Sequence, residues 1–122
     1  MALTAADLVA EAKQHIRELE PKTAREWLGS ARILDVREPA EYAAGHLPGA
    51  VNIPRGVLEF KVDAHPAFQD DKSAPILVYC QTGGRSALAT HALLKLGYEG
   101  ATSLAGGFSS WLDQGGITEK PA

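Results

Sequence analysis

The sequence predicts an α/β fold in which a parallel or mostly parallel sheet is covered by helices on both faces. Short apolar runs alternate along the chain with segments whose apolar residues recur at helical spacing. The clearest run, Ile76–Tyr79, is apolar throughout, which is typical of a strand buried on both faces. The 122 residues match the length of one ordinary domain, and the sequence contains no internal repeat.

The N-terminal segment is predicted to form a helix. It starts with a capping-box-like pair, Thr4 and Asp7, and its apolar residues follow at helical spacing: Val9, Ala12, Ile16 and Leu19. Residues 16–19 can instead form a short edge strand. Pro21 closes this region, and a second helix start is predicted at Thr23.

The remaining elements follow from apolar runs and from glycine and proline stops. Strands are predicted at Ile33–Val36, Ala50–Ile53, Ile76–Tyr79 and Ala101–Leu104. Helices are predicted from Pro39 to Gly45, over Gly56–Lys61, over about residues 85–96, and after Gly106-Gly107. The predicted apolar stripe of the longest helix is formed by Leu88, Ala92, Leu93 and Leu96. Residues 62–75, which are rich in proline and aspartate, are predicted to form a loop.

Composition excludes several functional classes. A formal net charge of −3 argues against nucleic acid as a partner, and no stretch approaches the about 18 apolar residues of a membrane span. The N-terminus lacks the apolar run of a signal peptide. A single cysteine excludes an internal disulfide, and the four histidines are too scattered to suggest a zinc site. We therefore expect a soluble cytoplasmic protein that binds neither nucleic acid nor membrane.

The segment Tyr79–Ser86 (YCQTGGRS) is predicted to carry the chemistry. Cys80 ends the apolar strand and precedes a helix, where free backbone N–H groups and the positive end of the helix dipole face the loop. Gly83 and Gly84 allow successive N–H groups to converge into an anion-binding nest. Arg85 adds a permanent charge with a fork of donors.

The hydroxyl groups of Thr82 and Ser86 can donate further hydrogen bonds in this loop. Together these groups should favour the thiolate form of Cys80, which indicates nucleophilic attack by sulfur on an anionic substrate. The alternative is a buried structural cysteine before a glycine-rich turn. A nucleotide-binding P-loop is disfavoured, because the upstream glycine and the lysine are missing.

Three stretches of the chain resemble the rhodanese (sulfurtransferase) family in its single-domain form. They are residues 34–54 (LDVREPAEYAAGHLPGAVNIP), 78–86 (VYCQTGGRS) and 104–115 (LAGGFSSWLDQG). The resemblance implies a rhodanese-like fold with a central, mainly parallel five-stranded sheet. On this basis residues 1–15 are predicted to be an N-terminal helical extension, 16–118 the rhodanese-like domain and 119–122 a C-terminal tail.

The resemblance also implies a mechanism. The Cys80 thiolate would take sulfane sulfur from a small anionic donor such as thiosulfate and form a persulfide. It would pass that sulfur to a nucleophilic acceptor, which is cyanide in the usual assay and a thiol, free or on a protein, in the cell. No metal or organic cofactor is implied. The residues expected to bind substrate follow the cysteine directly: Gln81, Thr82, Gly83, Gly84, Arg85 and Ser86.

Related phosphatases and arsenate reductases share this fold but use a loop one residue longer than the six residues from Cys80 to Arg85. The shorter loop fits a sulfur atom and disfavours a phosphate. Thiosulfate-preferring members often carry basic residues after the cysteine, whereas this chain has Gln81 and Thr82, which leaves the physiological donor open. A non-catalytic or sulfur-relay binding module is the other alternative, and retention of Cys80 and Arg85 speaks against a catalytically dead domain.

Asp35 and Arg37 match the family's Asp-x-Arg pattern and are predicted to have supporting roles. Asp35, at a strand end, is expected to accept hydrogen bonds from the cysteine loop. Arg37 is expected to pair with Glu41, one helical turn further on. His46 is interpreted as a hydrogen-bonded turn histidine and not as a general base.

Two further positions leave alternatives open. Arg55 either faces the mouth of the pocket or is a solvated surface residue. Phe108 either lines the pocket or belongs to the core. Trp111, three residues after Phe108, is expected to pack the last helix against the sheet.

Overall fold

The computed structural model describes residues 2–121 and contains one parallel sheet of five strands. The strands are β1 (Glu18–Leu19), β2 (Arg32–Asp35), β3 (Val51–Asn52), β4 (Ile76–Tyr79) and β5 (Ala101–Leu104), in the spatial order β1-β5-β4-β2-β3. Val78 on the central strand pairs with Leu34 on one side and Ser103 on the other. Since neighbouring strands are parallel throughout, their carboxyl ends meet at one edge. The predicted five-stranded α/β architecture is confirmed.

Within the described residues, six helices connect and cover these strands. They are α1 (Ala5–Lys13), α2 (Pro21–Ala24), α3 (Pro39–Ala44), α4 (Leu58–Lys61), α5 (Gly84–Lys95) and α6 (Gly107–Asp113). Short 3-10 turns lie at Arg25–Trp27, Arg55–Val57, Val62–Ala64 and Pro66–Phe68. Within residues 2–121, no helix combines the length and the apolar composition needed to cross a bilayer.

The side chains of β4 alternate between two hydrophobic clusters, one on each face of the sheet. Ile76 and Val78 belong to the cluster that contains Leu93 of α5. Leu77 and Tyr79 belong to the cluster that contains Trp111 of α6. All four side chains of β4 are buried, so helices cover the sheet on both faces, as the uniformly apolar strand predicted.

The start of α1 is the predicted capping box. The Asp7 N–H donates to Thr4 Oγ1 at 3.1 Å, and the Thr4 N–H donates to the Asp7 carboxylate at 2.8 Å. The helix ends at Lys13, and Glu18–Leu19 forms an edge strand beside β5. Of the two possibilities for residues 16–19, the strand is therefore correct.

The predicted helix start at Thr23 is wrong. The helix begins two residues earlier, at Pro21, and ends at Ala24. Proline suits the first helical position, because the N–H that it lacks has no partner there in any case. The predicted loop over residues 62–75 also contains two 3-10 turns, whose Val62 and Phe68 are fully buried and anchor the segment to the core.

The predicted apolar stripe of α5 has the wrong phase. Of its four members only Leu93 is buried, whereas Leu88, Ala92 and Leu96 are half-buried. These three line a surface cavity of about 380 Å³ beside α1. The fully buried face of the helix uses mostly small or hydroxyl-bearing residues, namely Ser86, Ala87, Ala89, Thr90 and Leu93, and a pattern of large apolar residues cannot reveal such a face.

Candidate active site

The cysteine loop lies at the carboxyl edge of the sheet, where open α/β folds bind their ligands. Cys80 directly follows β4, and α5 begins four residues later at Gly84. The residue between loop and helix, Gly83, has a φ of +112°, in a region that other residues rarely adopt. The chain thereby turns sharply from the strand into the helix, as predicted from the two glycines.

The sulfur of Cys80 accepts two backbone hydrogen bonds. The Gly83 N–H lies 3.1 Å from Sγ, and the Ser86 N–H lies 3.3 Å from it. The cysteine is reduced and only 1% exposed. The predicted convergence of N–H groups is therefore present, and it directs partial positive charge at the sulfur from the first turn of a helix.

Helix α6 holds the backbone of this loop. The carbonyl of Cys80 accepts the Phe108 N–H at 2.8 Å, and the carbonyl of Gln81 accepts the Ser109 N–H at 3.0 Å. A Cβ atom at Gly107 would lie 2.5 Å from the Cys80 carbonyl oxygen, so only glycine permits this close approach. With these carbonyls tied to α6, the loop is fixed in the form that exposes its N–H groups to the sulfur.

The side chain of Gln81 is tied into the loop's support. Its Oε1 atom accepts from Arg37 Nη1 at 3.3 Å, and its Nε2 atom donates to Ser109 Oγ at 3.1 Å. Both ends of the amide are thus engaged, which leaves Gln81 its backbone N–H and the second hydrogen of Nε2 as donors for the predicted contact with substrate. Thr82, in contrast, is exposed at the tip of the loop.

Asp35 and Arg37 form a buried ion pair beneath the loop. Arg37 Nη2 lies 2.8 Å from Asp35 Oδ2, and the Arg37 N–H donates to Oδ1 at 2.8 Å. The Tyr79 hydroxyl donates to Oδ2 at 2.7 Å. The expectation that Asp35 accepts directly from the cysteine loop is wrong, because its donors are Arg37 and Tyr79, the residue just before the loop. Burial, together with the nearby Asp35 carboxylate, raises the pKa of Tyr79, which keeps its hydroxyl a neutral donor.

The expected pairing of Arg37 with Glu41 is also wrong. Arg37 is held by Asp35 and by the carbonyl of Gly45, which accepts from Nη2 at 2.7 Å. Glu41 instead binds Arg85 through two hydrogen bonds of 2.8 and 3.1 Å. This contact with Arg85 lowers the pKa of Glu41 to about 2. Arg37 pairs with the buried Asp35 and not with Glu41, because an unpaired carboxylate in the interior would cost far more free energy than one at the surface.

The pairing with Glu41 changes the expected role of Arg85. Its guanidinium is about a third exposed and its charge is shared with a carboxylate. It can meet an anion at the mouth of the loop only with its remaining donors. The backbone N–H groups and the helix terminus therefore act on Cys80 together with the partly neutralised charge of Arg85.

Three of the other sequence-predicted residues have clear structural partners. His46 is buried, its Nδ1 atom lies 2.8 Å from the Leu47 carbonyl, and its ring stacks on Tyr42, which confirms the turn histidine. Phe108 is buried with the Arg37 guanidinium 4.4 Å from its ring centre. Arg55 pairs with Glu59 and lines the cavity beside α1.

Two serines that contact residues of the cysteine loop were missed by sequence reasoning. Ser103 on β5 contacts the Ser86 hydroxyl, and Ser109 on α6 contacts Gln81. Strand β5 carries two adjacent hydroxyls, Thr102 and Ser103, which point to opposite faces of the sheet, and the sequence does not show which of them faces the cysteine loop. Among residues 2–121, no group of three or more histidine, cysteine, aspartate or glutamate side chains is placed to hold a metal ion.

Comparison with known proteins identifies a family and several relatives of this chain. A family model described as the rhodanese-like domain matches residues 10–114. Thiosulfate:glutathione sulfurtransferase from Homo sapiens is 41% identical over 95 residues, covering 70% of this chain and 83% of that protein. Thiosulfate sulfurtransferase 16, chloroplastic, from Arabidopsis thaliana is 39% identical over 97 residues, covering 72% and 79%.

Two solved structures are similar over most of the chain. The human single-domain sulfurtransferase TSTD1 has a TM-score of 0.73 and 34% identity, covering 80% of this chain and 96% of that one. A Rhodopseudomonas palustris protein of unknown function, described as a possible tyrosine phosphatase, has a TM-score of 0.88 and 31% identity, covering 98% and 96%.

Proposed function

This chain belongs to the family of rhodanese-like domains and is a rhodanese-type sulfurtransferase, and we propose that Cys80 carries the sulfur from donor to acceptor. The observation that carries the proposal is the pair of backbone N–H groups that converge on Cys80 Sγ at 3.1 and 3.3 Å. Hydrogen bonds of this kind stabilise negative charge on sulfur, both on the thiolate and beside a bound anion.

In the donor step, the Cys80 thiolate attacks the outer, sulfane sulfur of thiosulfate. The S–S bond of thiosulfate breaks, its electron pair leaves with sulfite, and Cys80 becomes a persulfide anion. The total charge is unchanged and no proton has to move. The N–H groups of Gly83 and Ser86 and the N-terminus of α5 support this step, because they meet negative charge in every species along it.

In the acceptor step, a nucleophile attacks the outer sulfur of the persulfide. The bond between the two sulfur atoms breaks, and its electron pair returns to Cys80 Sγ. Cyanide would leave as thiocyanate, and a thiolate would leave as a low-molecular-weight persulfide. The human relative is named for glutathione, which favours a small thiol as the cellular acceptor, and a protein thiol can react in the same way.

The groups that bind the substrate in this scheme belong to the cysteine loop. We propose that the N–H groups from Gln81 to Ser86, with the exposed hydroxyl of Thr82 and the free donors of Arg85, bind the anionic end of the donor. Asp35 and Arg37 act indirectly by holding Gln81 and Tyr79. The cycle uses only the cysteine and the two substrates, with no metal or organic cofactor.

The experiment is an intact-mass measurement. The reduced protein is incubated with thiosulfate, desalted and weighed, and then mixed with cyanide or glutathione and weighed again. We expect a gain of one sulfur atom that disappears with either acceptor. Cys80→Ser, which keeps the size of the side chain, should gain nothing. A sulfur adduct on Cys80→Ser, or none on the wild type with thiosulfate or a small persulfide, would overturn the proposal and favour a binding module.

A phosphatase is the second candidate, because the Rhodopseudomonas palustris neighbour is described as a possible tyrosine phosphatase. The loop from Cys80 to Arg85 has six residues, and the Arg85 fork is already shared with Glu41. Both features leave little capacity for three phosphoryl oxygens. We expect no turnover of p-nitrophenyl phosphate, and hydrolysis that vanishes in Cys80→Ser would establish the phosphatase.

A further inference from the structure

Two buried hydroxyl groups lie behind the sulfur of Cys80. The Oγ atom of Ser86, in the first turn of α5, lies 3.5 Å from Cys80 Sγ and 2.9 Å from the Oγ atom of Ser103 on β5. Both serines are completely buried. The three atoms therefore form a continuous chain, sealed from solvent, that runs from the sheet to the sulfur.

The direction of the hydrogen bonds in this chain follows from counting hydrogens. A hydroxyl donates one hydrogen and accepts others. In the structure the Ser86 hydroxyl accepts from the Cys80 S–H group at 3.5 Å and donates to the carbonyl of Gly83 at 3.3 Å, and a Cys80 thiolate would offer it a second acceptor. That carbonyl also accepts the Ala87 N–H at 3.1 Å. It therefore keeps a donor when the Ser86 hydroxyl turns to the sulfur.

Ser103 completes the chain. Within the described part of the protein, its hydroxyl has one hydrogen-bond partner, Ser86 Oγ. When Cys80 is protonated, its S–H group can donate to Ser86, and Ser86 donates onward. When Cys80 is a thiolate the chain reverses, so that Ser103 donates to Ser86 and Ser86 donates to the sulfur. Each bond in such a chain strengthens the next.

We propose that Ser103 is a positioning residue for sulfur transfer, whose hydroxyl orients that of Ser86 as a donor to Cys80 Sγ. This inference rests on the proposed role of Cys80. In the acceptor step the electron pair of the sulfur–sulfur bond returns to Sγ, and a better stabilised thiolate leaves faster. In the donor step the same stabilisation makes the sulfur a weaker nucleophile. The two steps therefore respond to Ser103 in different ways.

The test measures each step alone in Ser103→Ala. The persulfide is formed with thiosulfate, desalted and mixed with cyanide, and its decay is followed by mass. We expect the acceptor step to slow by about threefold to tenfold, the range for loss of one hydrogen bond. The donor step should not slow at a pH where Cys80 is fully ionised in both proteins.

Thr102→Val is the matched control. Thr102 is adjacent on β5 and almost as buried, but its hydroxyl donates to the Gly100 carbonyl of its own segment, at 3.4 Å. Removing that hydroxyl should leave both steps unchanged. The pH profile of alkylation by iodoacetamide supplies a second readout, which should move to higher pH in Ser103→Ala and stay in place in Thr102→Val.

Ser86→Ala tests whether Ser103 acts through the hydrogen-bonded chain or only through packing. It interrupts the chain at its middle atom, so it should slow the acceptor step at least as much as Ser103→Ala does. Adding Ser103→Ala to it should then have no further effect, because the relay is already broken. Additive effects, or wild-type acceptor kinetics in either single variant, would overturn the inference. Failure of the wild type to form a Cys80 persulfide would instead overturn the proposed function.

Discussion

At Gly107, the motif of two consecutive glycines meets the cysteine loop. Its φ is +62°, and a Cβ atom would lie 2.5 Å from the Cys80 carbonyl oxygen and 2.7 Å from the Gln81 carbonyl oxygen. Two independent constraints thus apply at one position, the backbone conformation and the space. Both act on the same hydrogen bonds that shape the loop around the sulfur.

Gly107→Ala is expected to destabilise the protein by more than about 2 kcal/mol, because backbone strain adds to a clash with the loop. It should also slow persulfide formation. Gly29→Ala is the matched control, since Gly29 has a similar φ of +85° with nothing within 4 Å of the added carbon. It should cost only about 1 kcal/mol and leave sulfur transfer intact. Urea denaturation and the mass assay measure both effects, and equal losses in the two variants would contradict this reasoning.

Tyr79 carries a second residue-level prediction, because its hydroxyl serves two buried partners. It donates to Asp35 Oδ2 at 2.7 Å and accepts the Leu47 N–H at 3.1 Å. Tyr79→Phe leaves both partners without this bond in the interior, so we expect a loss of about 1–3 kcal/mol in the free energy of unfolding at neutral pH.

Tyr98→Phe provides the comparison. The ring of Tyr98 is equally buried, but its hydroxyl donates to Asp63, whose side chain is 59% exposed and can bind water instead. The same substitution should therefore cost less at Tyr98 than at Tyr79. Denaturation curves that show the reverse order would mean that burial of the partner does not decide the cost.

The arrangement of N–H groups in the cysteine loop could be predicted from the sequence. Most of the side chains that hold the loop in place could not. Residues 80–86 are contiguous, so a strand end, two glycines and a helix start suffice to place their N–H groups. The partner of Arg37 depends on a competition between Asp35 and Glu41. Helical spacing favours Glu41, and only the burial of Asp35 reverses that choice. Ser103 and Ser109 reach the site through tertiary packing, which leaves no local pattern.

At the scale of elements, an ion pair joins α3 to α5. Glu41 lies on α3, Arg85 lies on α5, and two hydrogen bonds join them. The pair sits at the surface beside the cysteine loop, with each side chain about a third exposed. Its contribution to stability is therefore small, at about 0.5 kcal/mol.

Glu41→Gln tests the pH dependence of this link. The pKa of Glu41 is lowered from 4.5 to about 2 by Arg85 in the folded protein. A lowered pKa means that the stabilisation is complete above about pH 4.5 and is lost as the pH falls toward 2. The gap in unfolding free energy between wild type and Glu41→Gln should narrow over that range. A gap that stays constant down to pH 2.5 would show that the charge of Glu41 is not its source.

The same variant should change substrate binding. Without the carboxylate, the Arg85 guanidinium is free to meet an anion at the mouth of the loop, so the KM for thiosulfate should fall by about twofold to fivefold. Glu59→Gln serves as the control, because it removes an equivalent partner from Arg55, away from the loop. An unchanged KM in Glu41→Gln would indicate that Arg85 does not contact the donor.

At the scale of the whole molecule, the order of strands and helices could be predicted because apolar runs mark the strands and because glycine and proline mark the ends of elements. The two terminal segments are harder to interpret from the sequence, because their contacts with α5 and with the loop after α3 are tertiary. Val9 of α1 would lie 3.7 Å from a Cβ atom at Gly84. At the other end, Glu119 forms two backbone hydrogen bonds of 2.9 Å with His46. These contacts brace the start of α5 and the loop after α3.

Two truncations test whether residues 16–118 form the domain that we propose. Deleting residues 2–15 removes the buried Ala12 and uncovers the half-buried Leu88 and Leu96 of α5. This should lower the free energy of unfolding by about 2 kcal/mol.

Deleting residues 119–122 removes the hydrogen bonds to His46 and the bond of 2.8 Å from the Gly49 N–H to Glu119. It should cost less, about 1 kcal/mol, because these groups can bind water. Both proteins should still form the persulfide, since no sulfur contact comes from either end. Loss of persulfide formation on deleting residues 2–15 alone would mean that α1 belongs to the catalytic domain, through its packing on Gly84.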